Sequence, residues 1–375
     1  MVAVTSARAL CLLVLLAGCG KSGSSVDAAL DDDAALTDGG PSSGDAEPRD
    51  VRPSADTGLE ALDAGADAGL ADAGLADAGM DAGLADTGTS SDAGSGDAGN
   101  GPGCPTIGPA VALGPITVRG LTELSGLVAG RVNPDVYWTH NDSKAELYAI
   151  DRLTLTLRAH LVLSSGATPY GDADAEDIAI RPLPGGSAEI YLGDIGSGHP
   201  GIALHIYRVI EPLLPAMVLN TTLEAEVMDV SPLQLSNAET LLVDPRDGTL
   251  VIVQKKRGPS ACEVGQFSAN SFATPNCSVP VSGLDNPSGG DVSPDGTYVA
   301  VRNESLAFVW VRPPGSALVD AFRGQRCAFP TLATPADGEC NGEALGFSAD
   351  GSSLTSASET GPCPMANAHG YTFQP

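Results

Sequence analysis

Two stretches near the end of the chain, Asp291-Val-Ser-Pro-Asp-Gly-Thr-Tyr-Val-Ala-Val301 and Glu343-Ala-Leu-Gly-Phe-Ser-Ala-Asp-Gly-Ser-Ser-Leu-Thr-Ser356, follow one plan. An acidic residue opens a short apolar run, Ser-x-Asp-Gly reverses the chain, and a second strand-forming run follows. Gly supplies the left-handed backbone that a tight reversal needs, and Asp and Ser hydrogen-bond the turn's own amides, so the pattern reads as strand, turn, strand.

The plan recurs upstream. Glu123-Leu-Ser-Gly-Leu, Glu176-Asp-Ile-Ala-Ile and Glu239-Thr-Leu-Leu-Val open three more units, two of them followed by Pro182-Leu-Pro-Gly-Gly and Asp244-Pro-Arg-Asp-Gly. The five openings lie 53, 63, 52 and 52 residues apart, and third strands follow, as in Leu204-His-Ile-Tyr-Arg-Val and Ala307-Phe-Val-Trp-Val. About fifty residues in four short antiparallel strands is one propeller blade. The expectation is an all-β propeller of five four-stranded blades, with six left open by the irregular 63-residue interval. A β-sandwich leaves a 52-residue period unexplained. The last unit runs out of chain after its third strand, Gly370 to Phe373, and the strand-like Ala110–Val118 can supply its missing outer strand. Both ends of the domain would then close the ring and remove a free sheet edge.

Ahead of the repeats the composition changes twice. Residues 1–18 read as a lipoprotein signal peptide: Arg8, then the apolar run Ala9 to Ala17, then Leu16-Ala17-Gly18-Cys19. That run is too short to span a bilayer. Acyl chains on Cys19 would anchor the protein to a membrane without a transmembrane helix. Gly20 after the cysteine points to the outer membrane of a Gram-negative envelope. Residues 20–103 hold 18 acidic residues against Lys21, Arg49 and Arg52, contain no aromatic residue, and repeat Asp-Ala-Gly. Such a segment buries too little apolar surface to offset its ordering entropy, so residues 19–103 are expected to be a disordered tether and 104–375 the propeller.

The net charge of −28 divides as +1 in the leader, −15 in the tether and −14 in the domain. Nucleic acid and anionic lipid headgroups are thereby disfavoured as partners; cations or a basic polymer suit the domain better. Nothing in the sequence asks for a second subunit, and a monomer is expected. Six cysteines remain beyond Cys19, and an even number in an exported chain suggests three disulfides. Proximity favours Cys262–Cys277; among the other four, Cys327–Cys340 with Cys104–Cys363 is preferred. A zinc site is disfavoured because there is no Cys-x-x-Cys and the histidines do not cluster.

In a propeller the first strand of each blade lines the central channel. Glu123, Glu176, Glu239, Asp291 and Glu343 would therefore ring one mouth, with Asp177 beside them. The ends of the second strands add His140, Asn141, Asp142, Asp194, Lys255 and Arg302 as candidate ligand-binding residues. So many carboxylates need protons, a cation or basic side chains to offset their repulsion. A hard cation such as Ca²⁺, which takes six to eight oxygen ligands, would fit a ring of this kind. Lys255 and Arg302 could equally make it a structural salt-bridge ring. Asp172 and Asp174 read as a solvated acidic loop. There is no Gly-x-Ser-x-Gly, His-Glu-x-x-His or Gly-rich phosphate loop.

Trp138-Thr-His-Asn-Asp-Ser, Glu176-Asp-Ile-Ala, Tyr191-Leu-Gly-Asp-Ile-Gly, Ala238-Glu-Thr-Leu-Leu-Val-Asp-Pro and Ser293-Pro-Asp-Gly resemble a family of secreted bacterial β-propeller lipoproteins. More distantly they are similar to phytase-like and SdiA-regulated-like propellers. The resemblance covers most of residues 118–360 and implies a propeller fold. Two functions follow as expectations. One is a non-catalytic binding or scaffold module at the cell envelope, held rigid by Ca²⁺. The other is a metal-dependent hydrolase of phosphoesters or lactones at the channel mouth, with Lys255 and Arg302 holding an anionic group.

Overall fold

The computed structural model describes residues 102–196, 203–231, 237–269, 276–360 and 366–375. The leader, Cys19, the tether and Cys363 lie outside the described residues. Within 102–375 the chain forms five antiparallel sheets whose innermost strands neighbour one another in a closed ring: Leu124–Ala129, Ala175–Pro182, Ala238–Val243, Gly289–Val292 and Gly342–Phe347. These are the inner strands of blades one to five, and the propeller has five blades. Among the described residues no helix is long and apolar enough to cross a membrane.

The 63-residue interval is an insertion and not a sixth blade. After the third strand of blade two (His205–Ile210) the chain runs along Leu219–Glu224, which pairs in parallel with the outer strand of blade one, Leu157–Ser165. It then returns as Glu226–Asp229 to complete blade two. One extended segment thus stitches the two blades together. Closure is as the repeat predicts: Val111–Ile116 pairs antiparallel with Ala366–Gln374, the third strand of blade five.

Burial follows from this plan. Five apolar clusters fill the five seams between blades, for instance Trp138 with Ile178 and Ile190 between one and two, and Leu242 with Val299 and Trp310 between three and four. The Ser-x-Asp-Gly turns work as their chemistry requires. Ser293 Oγ accepts the amides of Thr297 and Tyr298 and donates to Asp295, while Gly296 takes φ 71°. Ser348, Asp350 and Gly351 (φ 72°) repeat the arrangement in blade five. Blade one has no such turn. There Glu211, sent over from the loop after blade two's third strand, accepts the amides of Arg131, Val132 and Asn133 and the indole N–H of Trp138.

The disulfides correct one expectation. Cys262–Cys277 forms within blade three, but Cys104 pairs with Cys327, with Cα atoms 5.5 Å apart. Cys340 is also disulfide-bonded. The preference for Cys327–Cys340 rested on sequence proximity, whereas ring closure carries the start of the domain to the outer strand of blade four, Gln325–Ala328, where Cys327 lies.

Candidate functional site at the channel mouth

Three of the five ring acids share one structural slot. Glu176, Glu239 and Glu343 are each skipped by the ladder at the start of an inner strand: Ala175 pairs with Asp194 and Asp177 with Gly193; Ala238 with Gln254 and Thr240 with Val253; Gly342 with Ser358 and Ala344 with Ala357. An extra residue in one strand re-aims its side chain, and in blades two, three and five that residue is a glutamate. Glu123 instead precedes its strand and is exposed. Blade four carries no such irregularity, and Asp291 sits deeper, paired with Ala300.

Asp177 and Asp291 form a separate, internal set. Both are fully buried. Asp177 accepts the amides of Ile178 and of Leu241 in the next blade, each at 2.8 Å, with the Gly290 amide also turned to it. Asp291 accepts Val292 and, across the seam to blade five, Phe347, each at 2.8 Å. The free edges of the inner strands face the channel, and these two carboxylates satisfy amides that would otherwise be orphaned there. Burial still raises Asp177 well above the usual carboxylate range and Asp291 to about 7, against those donors.

At the mouth such donors are scarce and acids face acids. Burial pushes Glu176 up to about 10, with Glu239, Asp174 and Glu343 adding to the effect. Burial, then Glu359 and Glu239, pushes Glu343 to about 8. Burial and the hydrogen-bonded Glu123 bring Asp142 to about 7, with Glu359 and Asp174 contributing. Glu176 and Asp174 close on the backbone of Gly196, where a Cβ would lie 2.1 Å from Glu176 Oε1 and 2.5 Å from Asp174 Oδ2. Lys255 joins this group and pairs with Glu239. Burial works against its ammonium, yet Glu239, Glu343 and Glu176 hold its pKa above the ordinary value. Burial likewise raises Glu239 despite that pairing.

The remaining candidates are engaged inside the blades. His140 is fully buried. Its Nδ1 lies 2.9 Å from the Asn141 carbonyl, which places the proton on Nδ1, and burial drives the ring down to about 4, so it is neutral at pH 7. Asn141 accepts the amides of Thr122 and Glu123 and donates to the Gly120 carbonyl, fixing the entry into blade one. Asp194 accepts the amide of Asp174 at 2.9 Å and the hydroxyl of Tyr207 at 3.2 Å. Arg302 is wholly buried, paired with Glu339 and bonded to the carbonyls of Asn303, Glu304 and Ala344. Glu339 also accepts Ser356 and His369. Burial opposes its charge, but these partners hold its pKa below the ordinary value.

Sequence reasoning missed Glu211, Glu339 and Glu359. The first two sit in loops outside the repeat, where no period announces them. Glu359 follows the second strand of blade five, Ser353–Ser358, in the position that Asp142 and Lys255 occupy in their own blades, so the same register rule could have found it. Among the described residues no three acidic, His or Cys side chains gather closely enough to hold a metal ion. The donor chemistry suits a hard cation; the spacing is not a ready-made cage.

No protein-family model matches the chain, and no curated protein does. Among solved structures the chain is similar to a luciferin-regenerating enzyme, with a TM-score of 0.37 and 10% identity over 72% of this chain and 96% of that one. A likeness this loose says nothing about activity.

Proposed function

We propose that the domain is a non-catalytic binding module for a cationic ligand, carried at the cell envelope by a lipid on Cys19. The observation that supports this reading is the imbalance at the mouth. Among the described residues, Glu123, Asp142, Asp174, Glu176, Glu239, Glu343 and Glu359 interact with one another, and the ammonium of Lys255 faces three of them, Glu176, Glu239 and Glu343. Their spread suits an extended cation, such as a polyamine or the lysine side chains of a basic polymer, better than a compact ion. Ca²⁺ is the second arm of the test. The hydrolase alternative needs Lys255 and Arg302 to hold an anionic group, and both are committed to glutamates.

Spermidine and CaCl₂, each added to the full-length chain, test the proposal through melting temperature. A cation that binds only the folded state stabilises it by about 2.7 kcal/mol at a hundredfold excess over Kd. Because Glu176 and Glu343 must lose protons to receive it, affinity should grow between pH 6 and pH 9. Glu176→Gln with Glu343→Gln should remove most of the response and its pH dependence. A wild-type protein whose melting temperature neither cation moves at pH 9 would overturn the reading.

A further inference from the structure

At the end of the strands remote from Asn141 and Ser358, a groove of about 590 Å³ opens on the seam between blades five and one. Its floor is Tyr137, Leu354 and Tyr371, all buried. Its lips are Val111 and Leu113 from the strand that closes the ring and Leu153 from a turn of blade one. Their exposures are 59, 42 and 93%. Single exposed apolar residues are ordinary; three that face one concavity form a patch. The volume falls in the range of about 300–1,000 Å³ that holds small molecules.

The charges in the groove are unevenly matched. Asp135 and Asp151 stand on its wall, and Arg158 pairs with both, at 3.0 and 3.3 Å. Arg152 also lines the groove and has no carboxylate partner among the described residues. It donates to the Pro134 carbonyl at 2.9 Å, and its guanidinium lies 5.2 Å from the centre of the Tyr137 ring. The Tyr137 hydroxyl is tied to Thr355 Oγ1 at 2.6 Å, which fixes the ring beneath the arginine. One guanidinium thus serves both acids, while Arg152, which brings the four charges to zero, has no acid in contact among the described residues and keeps donors to offer.

We propose that this groove binds a small apolar carboxylic acid. Its hydrocarbon would lie between Leu153 and the Val111–Leu113 lip, over Leu354, and its carboxylate would meet Arg152. A planar guanidinium matches a carboxylate in two parallel hydrogen bonds, and its flat face suits an aromatic ring. The site is separate from the acidic mouth, and neither depends on the other.

Calorimetric titration of the full-length chain with 2-naphthoate, beside its neutral analogue 2-naphthalenemethanol, tests the assignment. The expected result is saturable one-to-one binding of naphthoate, with the alcohol about tenfold weaker or more, the usual value of a hydrogen bond to a charged group. Arg152→Gln should bring naphthoate down to the alcohol's affinity. Leu153→Asp should weaken both ligands, and since that side chain is almost wholly exposed, the fold survives the change. Met217→Asp, at another exposed apolar position (79% exposed) outside the groove, should change neither. Absence of saturable binding up to millimolar naphthoate would overturn the proposal. So would equal affinity for acid and alcohol, or binding that Leu153→Asp leaves intact.

Discussion

Glu176 and Asp177 are neighbours in the chain and opposites in the fold. Asp177 points inward and meets the amides of Ile178, Leu241 and Gly290; Glu176, displaced from the ladder by one residue, points to the mouth and meets Glu239, Asp174 and Glu343. Asp291 repeats the first situation and Glu343 the second. The comparison separates two uses of a carboxylate in one channel. Where inner-strand edges leave amides open, an acid closes them and joins blades. Where the strand begins, Glu176, Glu239 and Glu343 receive no backbone amide among the described residues, and acids meet acids instead. Donor count, and not depth alone, divides bracing acids from binding ones.

The comparison breaks most visibly at the bracing groups. Arg302→Met leaves Glu339 buried with only Ser356 and His369 for partners, a loss of about 3–5 kcal/mol. Asp177→Ala strands two or three buried amides at ~1–3 kcal/mol each, so on the order of 3 kcal/mol or more. Urea unfolding measures both. A loss under ~1 kcal/mol in either variant would show that these groups do not brace the ring.

Mouth residues should behave in the reverse sense. Folded Glu343 holds its proton up to about 8, whereas the unfolded chain releases it near the ordinary carboxylate value. Its contribution is therefore complete below about pH 4.5 and is lost as pH rises towards 8. Gln, which resembles the protonated acid, escapes that loss. Glu343→Gln should match wild type near pH 4 and exceed it at pH 8.5 by ~1–2 kcal/mol, a rise of about 2–6 °C in melting temperature. Equal melting curves at both pH values would mean that Glu343 is not held protonated.

The same contrast explains what could be read in advance. Period and turn chemistry revealed the blades and the closing strand, because a strand that fits a ring must repeat. They placed five acids in one slot, because Glu123, Glu176, Glu239, Asp291 and Glu343 look alike in sequence. Register decided otherwise: a one-residue irregularity aims Glu176, Glu239 and Glu343 at the mouth, its absence in blade four leaves Asp291 among amides, and Glu123 stops short of its strand. Irregularities of this kind leave the hydrophobic pattern almost untouched. Loop acids such as Glu211 and Glu339 were hidden for a different reason: their partners lie 73 and 37 residues away, at Trp138 and Arg302.

The smallest effect is the sharpest probe of the mouth. Glu123 is exposed, receives a hydrogen bond from Ser143 at 3.1 Å and shares another with Asp142, so Glu123→Gln should leave stability within about 0.5 kcal/mol of wild type. It should nevertheless move Asp142. Burial is the first cause of that residue's rise to about 7, and Glu123 is the next, through both a hydrogen bond and its charge. A neutral amide removes the like charge and can donate to the ionised form, so both changes favour ionised Asp142, whose pKa falls. Carbon-detected NMR titration of the aspartate carboxyls reads the shift directly. An Asp142 that still titrates near 7 in the variant would mean that Glu123 does not set its proton and is not coupled to it. A fall with unchanged melting temperature would show charge coupling at the mouth that contributes nothing to the fold, in contrast to the carboxylates one residue deeper.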